Sequence, residues 1–493
     1  VTAPLTLPLR VGARRAVPAT VPGVIGVMAV VRLLEARSAA TPDEGGFLLV
    51  AGQWHAGGSS LYGNYWVDRP PLLVGLFRLA DLTGGLFALR VLGILAAAAA
   101  VGMLASTAMR VFGRRAGTWT AVVAATLLVT PLFGAVEVNA ELLGLPFLAL
   151  GLRAAVEAVL AQDRLVARGA GFTAGLAGIS ALLVLQNLAE VVVFAAVVWI
   201  LAWRSRRITW IEFAELVGSA AFGGALAYAV VSLAAMAHGT SPYQVYLATY
   251  PFRSAASGVR LHSLAFAFLL SGAPLVLVAF LLRGVRRSRN PGVTWALIVT
   301  TAWTGFAVLA GGSFWLHDLV EAVPVVALAA GALSLQAPRV ARVVVALVLL
   351  PTLATGALAV ARPGIDAGDP VGAALARVAH PGDTMVTLFG EGDLVQNSGM
   401  SSPYPYLWSL PARTQDTDLH LLRATLVGPI APTWVVVHRP AAADLTTEGV
   451  MSALVQHYRA VADLCGHTVY LQRDVSRTIP SRSGPCSRGV PLP

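Results

Sequence analysis

TPDEGGFLLVAGQWHAGGSSLYGNYWVDRPP, residues 41–71, sets Asp43, Glu44, His55, Asp68, Arg69 and several aromatics between two long apolar blocks. Thr41, then Pro42, then Glu44 three residues after the threonine has the form of a capping box, so a short helix is expected to begin at Pro42. Capping accounts for Glu44 about as well as catalysis does. It leaves Asp43 unexplained, and a carboxylate in that first turn is suited to taking a proton from an attacking hydroxyl. Both are candidate catalytic residues. Asp68-Arg69 reads as a surface ion pair worth well under ~1 kcal/mol, or as a phosphate or metal–phosphate contact, since arginine recognises phosphate bidentately. Tyr62, Tyr65 and Trp66 fit an interfacial aromatic belt as well as a substrate wall, and His55 joins them as a substrate-binding candidate.

The rest of the chain says where such a loop sits. Of 493 residues, 56% are hydrophobic and 12% charged, against about 25% charged in a soluble domain, and the mean hydropathy is +0.72. This is the composition of a polytopic α-helical membrane protein, and the lipid bilayer is its first partner. The net charge of +10 does not point to nucleic acid. Lysine is absent, and the arginines cluster in short gaps between apolar runs, where orientation-setting charge belongs.

Runs near 18–37, 86–109, 117–133, 142–160, 169–185, 188–203, 210–237, 261–283, 293–310, 317–336 and 339–360 read as spans, about 11 transmembrane helices. PPLLVGLFRL (70–79) has about half the length a crossing needs and reads as a helix lying at the interface, closing an external loop over 38–80. With that piece not crossing, RVFGRR (110–115), RLVAR (164–168), RSRR (204–207), RGVRRSR (283–289) and PRVAR (338–342) share one side with Arg10, Arg14 and Arg15. By the positive-inside rule that side is the cytoplasm of a plasma membrane protein. The same parity gathers the 41–71 loop, the turn at 137–141, the loop 238–260, the turn at 311–318 and the region after about 361 on the extracytoplasmic face.

Further polar residues fall on that face. Glu137, Asn139 and Glu141 close a helical hairpin, where carboxylates beside hydrocarbon are costly. They either balance a helix N-terminus or ligate a hard divalent ion such as Mg, Mn or Ca. His317-Asp318 follows Gly311-Gly312 where the chain re-enters the membrane, with Asp318 expected to orient the imidazole and Glu321 one turn on. Gln186-Asn187 lies between two spans and joins Asp318 among the substrate-binding candidates. Arg253 and Arg260 break the charge rule, as an anionic lipid phosphate or a simple interfacial arginine would explain.

DEGGFLLVAGQWHAGGSSLYGNYWVDRPPL, then FALRVLGIL, an acidic hairpin turn and GGSFWLHDLVEAVP resembles the GT-C membrane glycosyltransferases over roughly residues 20–340. Within them the likeness is to the bacterial branch shared by protein O-mannosyltransferases and the lipid A aminoarabinose transferases. The resemblance implies a polyprenyl-phosphate sugar donor, a glycan, lipid or protein acceptor and commonly inversion at the anomeric carbon. On it, Asp43 matches the catalytic base, Asp68 and Arg69 the pair that meets the donor phosphate, Glu141 the acidic position of the second external loop, and His317 the late histidine. Two departures are plain. The late motif often reads His-Tyr where this chain has His317-Asp318, and the lysine common before Gln-Asn is Leu185. Arg253 or Arg260 is then expected to supply the charge. The four residues Asp43, Arg69, Glu141 and His317 are expected in one cavity at the outer leaflet.

After about 361 the composition turns mixed. TMVTLFG (384–390), PTWVVVHRP (432–440) and HTVYLQRD (467–474) read as strands, and LHLLRATLVG (419–428) and GVMSALVQHYRAVADL (449–464) as helices. The expected layout is a transmembrane domain over 1–360, an extracytoplasmic α/β domain over 361–477 and a Ser/Pro/Gly/Arg-rich end over 478–493 without regular structure. Cys465 and Cys486 are either a disulfide or two thiols. The competing functions are a transporter or flippase of lipid-linked glycans, or a silent scaffold of the same fold. Absence of an internal repeat, and acidic residues gathered at one face, favour the transferase.

Overall fold

The computed structural model describes residues 18–36, 38–135, 137–250, 260–284, 290–312, 314–361, 370–388, 390–438 and 448–481. These gather into two compact units, each assembled from separated stretches of sequence. One holds Val91–Val231 with described residues up to Glu35 and within Ala256–Ala361. The other holds Ala36–Arg90 with described residues within Ser232–Ala255 and after Arg362.

The first unit is helical. Among the described residues of the whole chain, seven helices are long and apolar enough to cross a bilayer. The pair Leu261–Leu270 and Ala273–Arg283, bent by 65°, makes an eighth if it is one span. The other three expected spans fall on Thr20–Glu35, Arg114–Leu127 and Glu190–Arg204, of 16, 14 and 15 residues, each shorter than a full crossing of about 20. The helix Pro71–Phe112 runs for 42 residues but leaves helical geometry at Gly84 (φ 144°) and Gly85 (φ 63°). Backbone of that kind is open to glycine and strained for other residues. The break separates the short segment after Pro70 from the apolar run 86–109, the division expected from its length.

Burial sorts these helices by what they face. In Leu316–Gln336, at the centre of the unit, 89% of the apolar window is buried, whereas only 22% of that in Trp210–Ala237 is. Phe222, Leu226 and Leu233 of that helix face outward. Apolar exposure on this scale is stable against lipid rather than water. Several arginine clusters end in ion pairs, Arg110 with Glu157 at 2.6 Å and Arg168 with Glu215, so not every loop carboxylate lies away from the arginine face.

The second unit contains a four-stranded sheet: β1 (Met385–Leu388), β2 (Trp434–His438), β3 (Tyr458–Leu464) and β4 (His467–Gln472). Its order is β1-β2-β4-β3, with β1 parallel to β2 and the other pairs antiparallel. The apolar run of β2 is buried on both faces, as a central strand requires. Val386, Leu388, Val435 and Val437 pack with Leu422, Leu426, Val450 and Leu454 from the helices His420–Val427 and Glu448–His457. One expectation needs correction: 449–464 is not a single helix. It turns into β3 at Tyr458, because β4 offers a free edge and the Cys465-Gly466 turn, with φ of 52° and 82°, closes the hairpin.

Candidate functional site

In the second unit the loop is built from the capping box outward. Thr41 Oγ1 accepts the Glu44 N–H at 3.3 Å and Glu44 Oε2 accepts the Thr41 N–H at 3.0 Å, starting the helix Pro42–Gly52. Glu44 is fully buried and also accepts from Arg90 at 2.6 Å. Arg90 in turn donates to Ser38 Oγ and the Ala39 carbonyl. Glu44 is therefore committed to holding the loop, and its candidate catalytic role falls to Asp43, which stays partly accessible. Asp43 Oδ1 accepts the indole N–H of Trp408 at 2.8 Å.

The two glycines after this pair explain how Trp408 arrives there. A Cβ on Gly45 would lie 2.4 Å from the Asp393 backbone, and one on Gly46 would lie 2.4 Å from the Trp408 ring. Only a bare backbone lets the helix Pro42–Gly52 meet Gly392–Ser398 and Trp408 this closely. The Trp408 ring then packs 5.0 Å from Phe47.

The aromatics expected along a substrate wall divide. Tyr62 and Tyr65 are fully buried. Tyr62 donates to the Arg69 carbonyl at 2.5 Å, while Tyr65 donates to Gln53 Oε1 and accepts the Ser402 N–H, both at 2.9 Å. Burial pushes the Tyr65 phenol up to about 12, so it remains a donor at neutral pH. These two rings fasten the loop through buried hydrogen bonds. Trp66 is half-buried with its backbone N–H donating to the Pro405 carbonyl, and His55 is exposed with Nδ1 on the Gln53 carbonyl. Asp68 and Arg69 form a 2.8 Å ion pair, both partly accessible.

In the first unit a second polar group surrounds the start of the helix Ala140–Leu160. His317 is buried, and its Nδ1 lies 2.8 Å from Glu137 Oε1. Glu137, not Asp318, therefore orients the imidazole. Asp318 Oδ2 accepts the Trp315 N–H at 2.9 Å and caps the turn Leu316–Ala322. Asn139 caps the helix through its Oδ1 on the Leu142 N–H, which occupies the oxygen expected to hold a metal. Glu141, His317 and Asp318 instead present ligand atoms within 4.8 Å of one another. Two carboxylates and an imidazole suit a divalent ion. Asn187 donates to Glu321 Oε1 at 2.6 Å beside the buried Gln186. The Arg260 guanidinium lies 3.5 Å over the Trp315 ring, and Arg253 lies outside the described residues.

Asp43, Asp68 and Arg69 thus belong to one unit, and Glu137, Glu141, His317 and Asp318 to the other. Sequence reasoning missed Trp408 and Arg90. Arg90 stood in the FALRVLGIL motif, where a charge inside an apolar run was the available signal. Trp408 carried no local signal.

No protein-family profile matches the chain, and no curated protein sequence matches it. Solved structures do. ArnT from Cupriavidus metallidurans bound to undecaprenyl phosphate superposes with a TM-score of 0.64 at 15% identity, covering 92% of this chain and 98% of that one. The same protein in the apo state gives 0.61 at 14%, covering 91% and 97%. At such identity the likeness concerns architecture. The chain has the fold of the GT-C membrane glycosyltransferases, shared with these two structures.

Proposed function

We propose that the protein is a glycosyltransferase that moves a monosaccharide, a hexose or a pentose, from a polyprenyl-phosphate donor to a glycan, lipid or protein acceptor of the cell envelope. In this reading it works at the extracytoplasmic face of the plasma membrane, with inversion. The observation that carries the proposal is the near-complete coverage of a lipid-phosphate-bound GT-C structure.

The chemistry needs few parts. An acceptor oxygen attacks the anomeric carbon as the bond to the lipid phosphate breaks, and the acceptor proton passes to a carboxylate on the opposite side of the sugar. Asp43 is assigned that proton, with Trp408 fixing which oxygen takes it. The departing phosphate carries its charge away, so cationic or donor groups must receive it. Arg69 is assigned to that task, with Asp68 steering it through their ion pair. Glu141, His317 and Asp318 would hold a divalent ion, a source of Lewis-acid charge, with Glu137 steering His317.

The deciding experiment incubates purified protein with a panel of polyprenyl-phosphate sugars, including mannosyl and arabinosyl donors, and measures donor consumption. Turnover of one donor, lost in Asp43→Asn, is the expected result. Unchanged cellular glycans in an Asp43→Asn strain would favour transport or a silent scaffold instead.

A further inference from the structure

Three side chains that the proposed transfer does not use converge at one corner of the sheet. Glu391 immediately precedes the helix Gly392–Ser398, His438 ends β2 and His467 opens β4. The two histidines are cross-strand partners in the β2–β4 register. Their rings stack with centroids 4.7 Å apart at 19°. Glu391 Oε1 lies 2.9 Å from His467 Nε2 and 3.7 Å from His438 Nδ1, and the three ligand atoms fall within 4.8 Å of one another.

The proton positions make this corner unusual. His467 Nδ1 sits 3.1 Å from the Cys465 carbonyl oxygen. A carbonyl only accepts, so this nitrogen carries the hydrogen. In the neutral ring Nε2 then holds a lone pair, yet it faces both carboxylate oxygens of Glu391, at 2.9 and 3.0 Å. Two electron-rich groups at that distance repel unless a cation sits between them. A proton would reconcile Glu391 with His467. A divalent ion would reconcile that pair and engage the Nδ1 lone pair of His438, 3.7 Å from the same carboxylate, as well.

We propose that Glu391, His438 and His467 form a binding site for a zinc-type divalent metal ion. The ligand atoms are one Glu391 carboxylate oxygen, His438 Nδ1 and His467 Nε2, and the fourth position is open to water. A tetrahedral ion with ligands at its usual 2.0–2.1 Å sets neighbouring donor atoms about 3.3 Å apart, between the two separations measured from Glu391 Oε1. Two imidazoles and one carboxylate favour zinc over magnesium or calcium, which take oxygen. The Cys465 carbonyl holds the tautomer and the ring plane, the task of an outer-shell partner. Cys465 is itself disulfide-bonded and lies in the left-handed region at φ 52°, which fixes that carbonyl. His438 is 40% exposed on its side chain, so an ion can reach the site from solvent. The ion would join the residue that starts one helix to the facing ends of two central strands.

The test uses the full chain in detergent, stripped with a chelator and titrated with cobalt(II). One equivalent should produce the visible bands of four-coordinate cobalt with nitrogen and oxygen ligands, and zinc should bleach them. His438→Gln should weaken cobalt binding by more than about 100-fold, beyond what loss of an outer-shell partner costs, while its melting curve without metal matches the parent. Glu141→Gln should keep the bands, which separates this site from the acidic cluster at His317. If His438→Gln does not fold, Glu391→Gln reads the same bands. No bands in the parent chain, or bands that persist in either variant, would overturn the site; the first result would leave Glu391 and His467 as a proton-bridged pair.

Discussion

Trp408 donates its indole N–H to Asp43 Oδ1 at 2.8 Å, across 365 residues of chain. The bond orients a carboxylate that the sequence marks as the candidate base. Asp43→Asn should lower donor consumption by at least about 100-fold, the usual range for a general base. Trp408→Phe keeps the packing on Phe47 but loses the bond, and should cost roughly tenfold. Both are read as initial rates against protein matched for its elution profile. Equal rates for parent and Asp43→Asn would remove the residue from the chemistry.

Glu44 and Arg90 form a pair exposed by 0% and 4% at their side chains. Removing one partner strands the other charge, at a typical cost of about 3–5 kcal/mol. Glu44→Gln preserves the capping box and should still lower the melting temperature strongly. Combining it with Arg90→Met should recover much of the loss, a non-additivity visible in thermal unfolding of the detergent-solubilised protein. Additive losses would show that the two residues act independently.

Gly46→Ala sets a methyl group against the Trp408 ring, where the ideal Cβ falls 2.4 Å away. Overpacking of this kind costs about 1–3 kcal/mol. Because the displaced ring is the one bonded to Asp43, activity should fall together with stability. The added variant Trp408→Leu should restore stability without restoring rate.

Glu141, His317 and Asp318 are placed to hold a divalent ion. Chelator treatment should therefore reduce donor consumption, and Mg, Mn or Ca should restore it. In Glu141→Gln the ion concentration giving half-maximal rate should rise by more than about tenfold, the loss typical of disturbing even an outer-shell group. A rate indifferent to chelator in the parent would exclude the ion from the reaction.

Asp383 is buried beneath Arg477, which donates to it at 2.7 and 3.0 Å. Burial alone would raise its carboxyl pKa, but Arg477 and the His380 N–H overcome that and hold it down to about 2. A depressed folded-state value stabilises the protein above the unfolded value near 4, and that contribution is lost as pH falls from about 4 to 2. Its size is of order 2 kcal/mol. Asp383→Asn should melt lower than the parent at pH 6, with the gap closing toward pH 2.

What the sequence disclosed follows from the range of each interaction. The apolar helices, the break before the apolar run 86–109 and the cap at Thr41 are local: they depend on runs of apolar residues, paired glycines and a three-residue spacing. Asp43 stood out because capping left it without a task, and the likeness to GT-C enzymes rested on that same stretch. Non-local partners were invisible. Nothing near Trp408 announces Asp43, and nothing near Glu137 announces His317, so Asp318 was the natural but wrong choice to orient the ring. The sequence left Tyr62 and Tyr65 open between an interfacial belt and a substrate wall, because aromatic residues next to polar ones have the same signature in either setting. The second half of 449–464 had helical spacing, and the edge of β4 decided otherwise.

The glycine seam between Pro42–Gly52 and Gly392–Ser398 has a consequence for how the protein is made. At about 5–20 residues per second, the ribosome needs roughly 20–70 s between releasing Asp43 and supplying Trp408, 365 positions later. Throughout that interval the nascent first loop has inserted flanks but lacks the surface against which it sets. A chain cut short before residue 385 would keep its hydrophobic segments and leave the 41–71 loop without the surface it packs on.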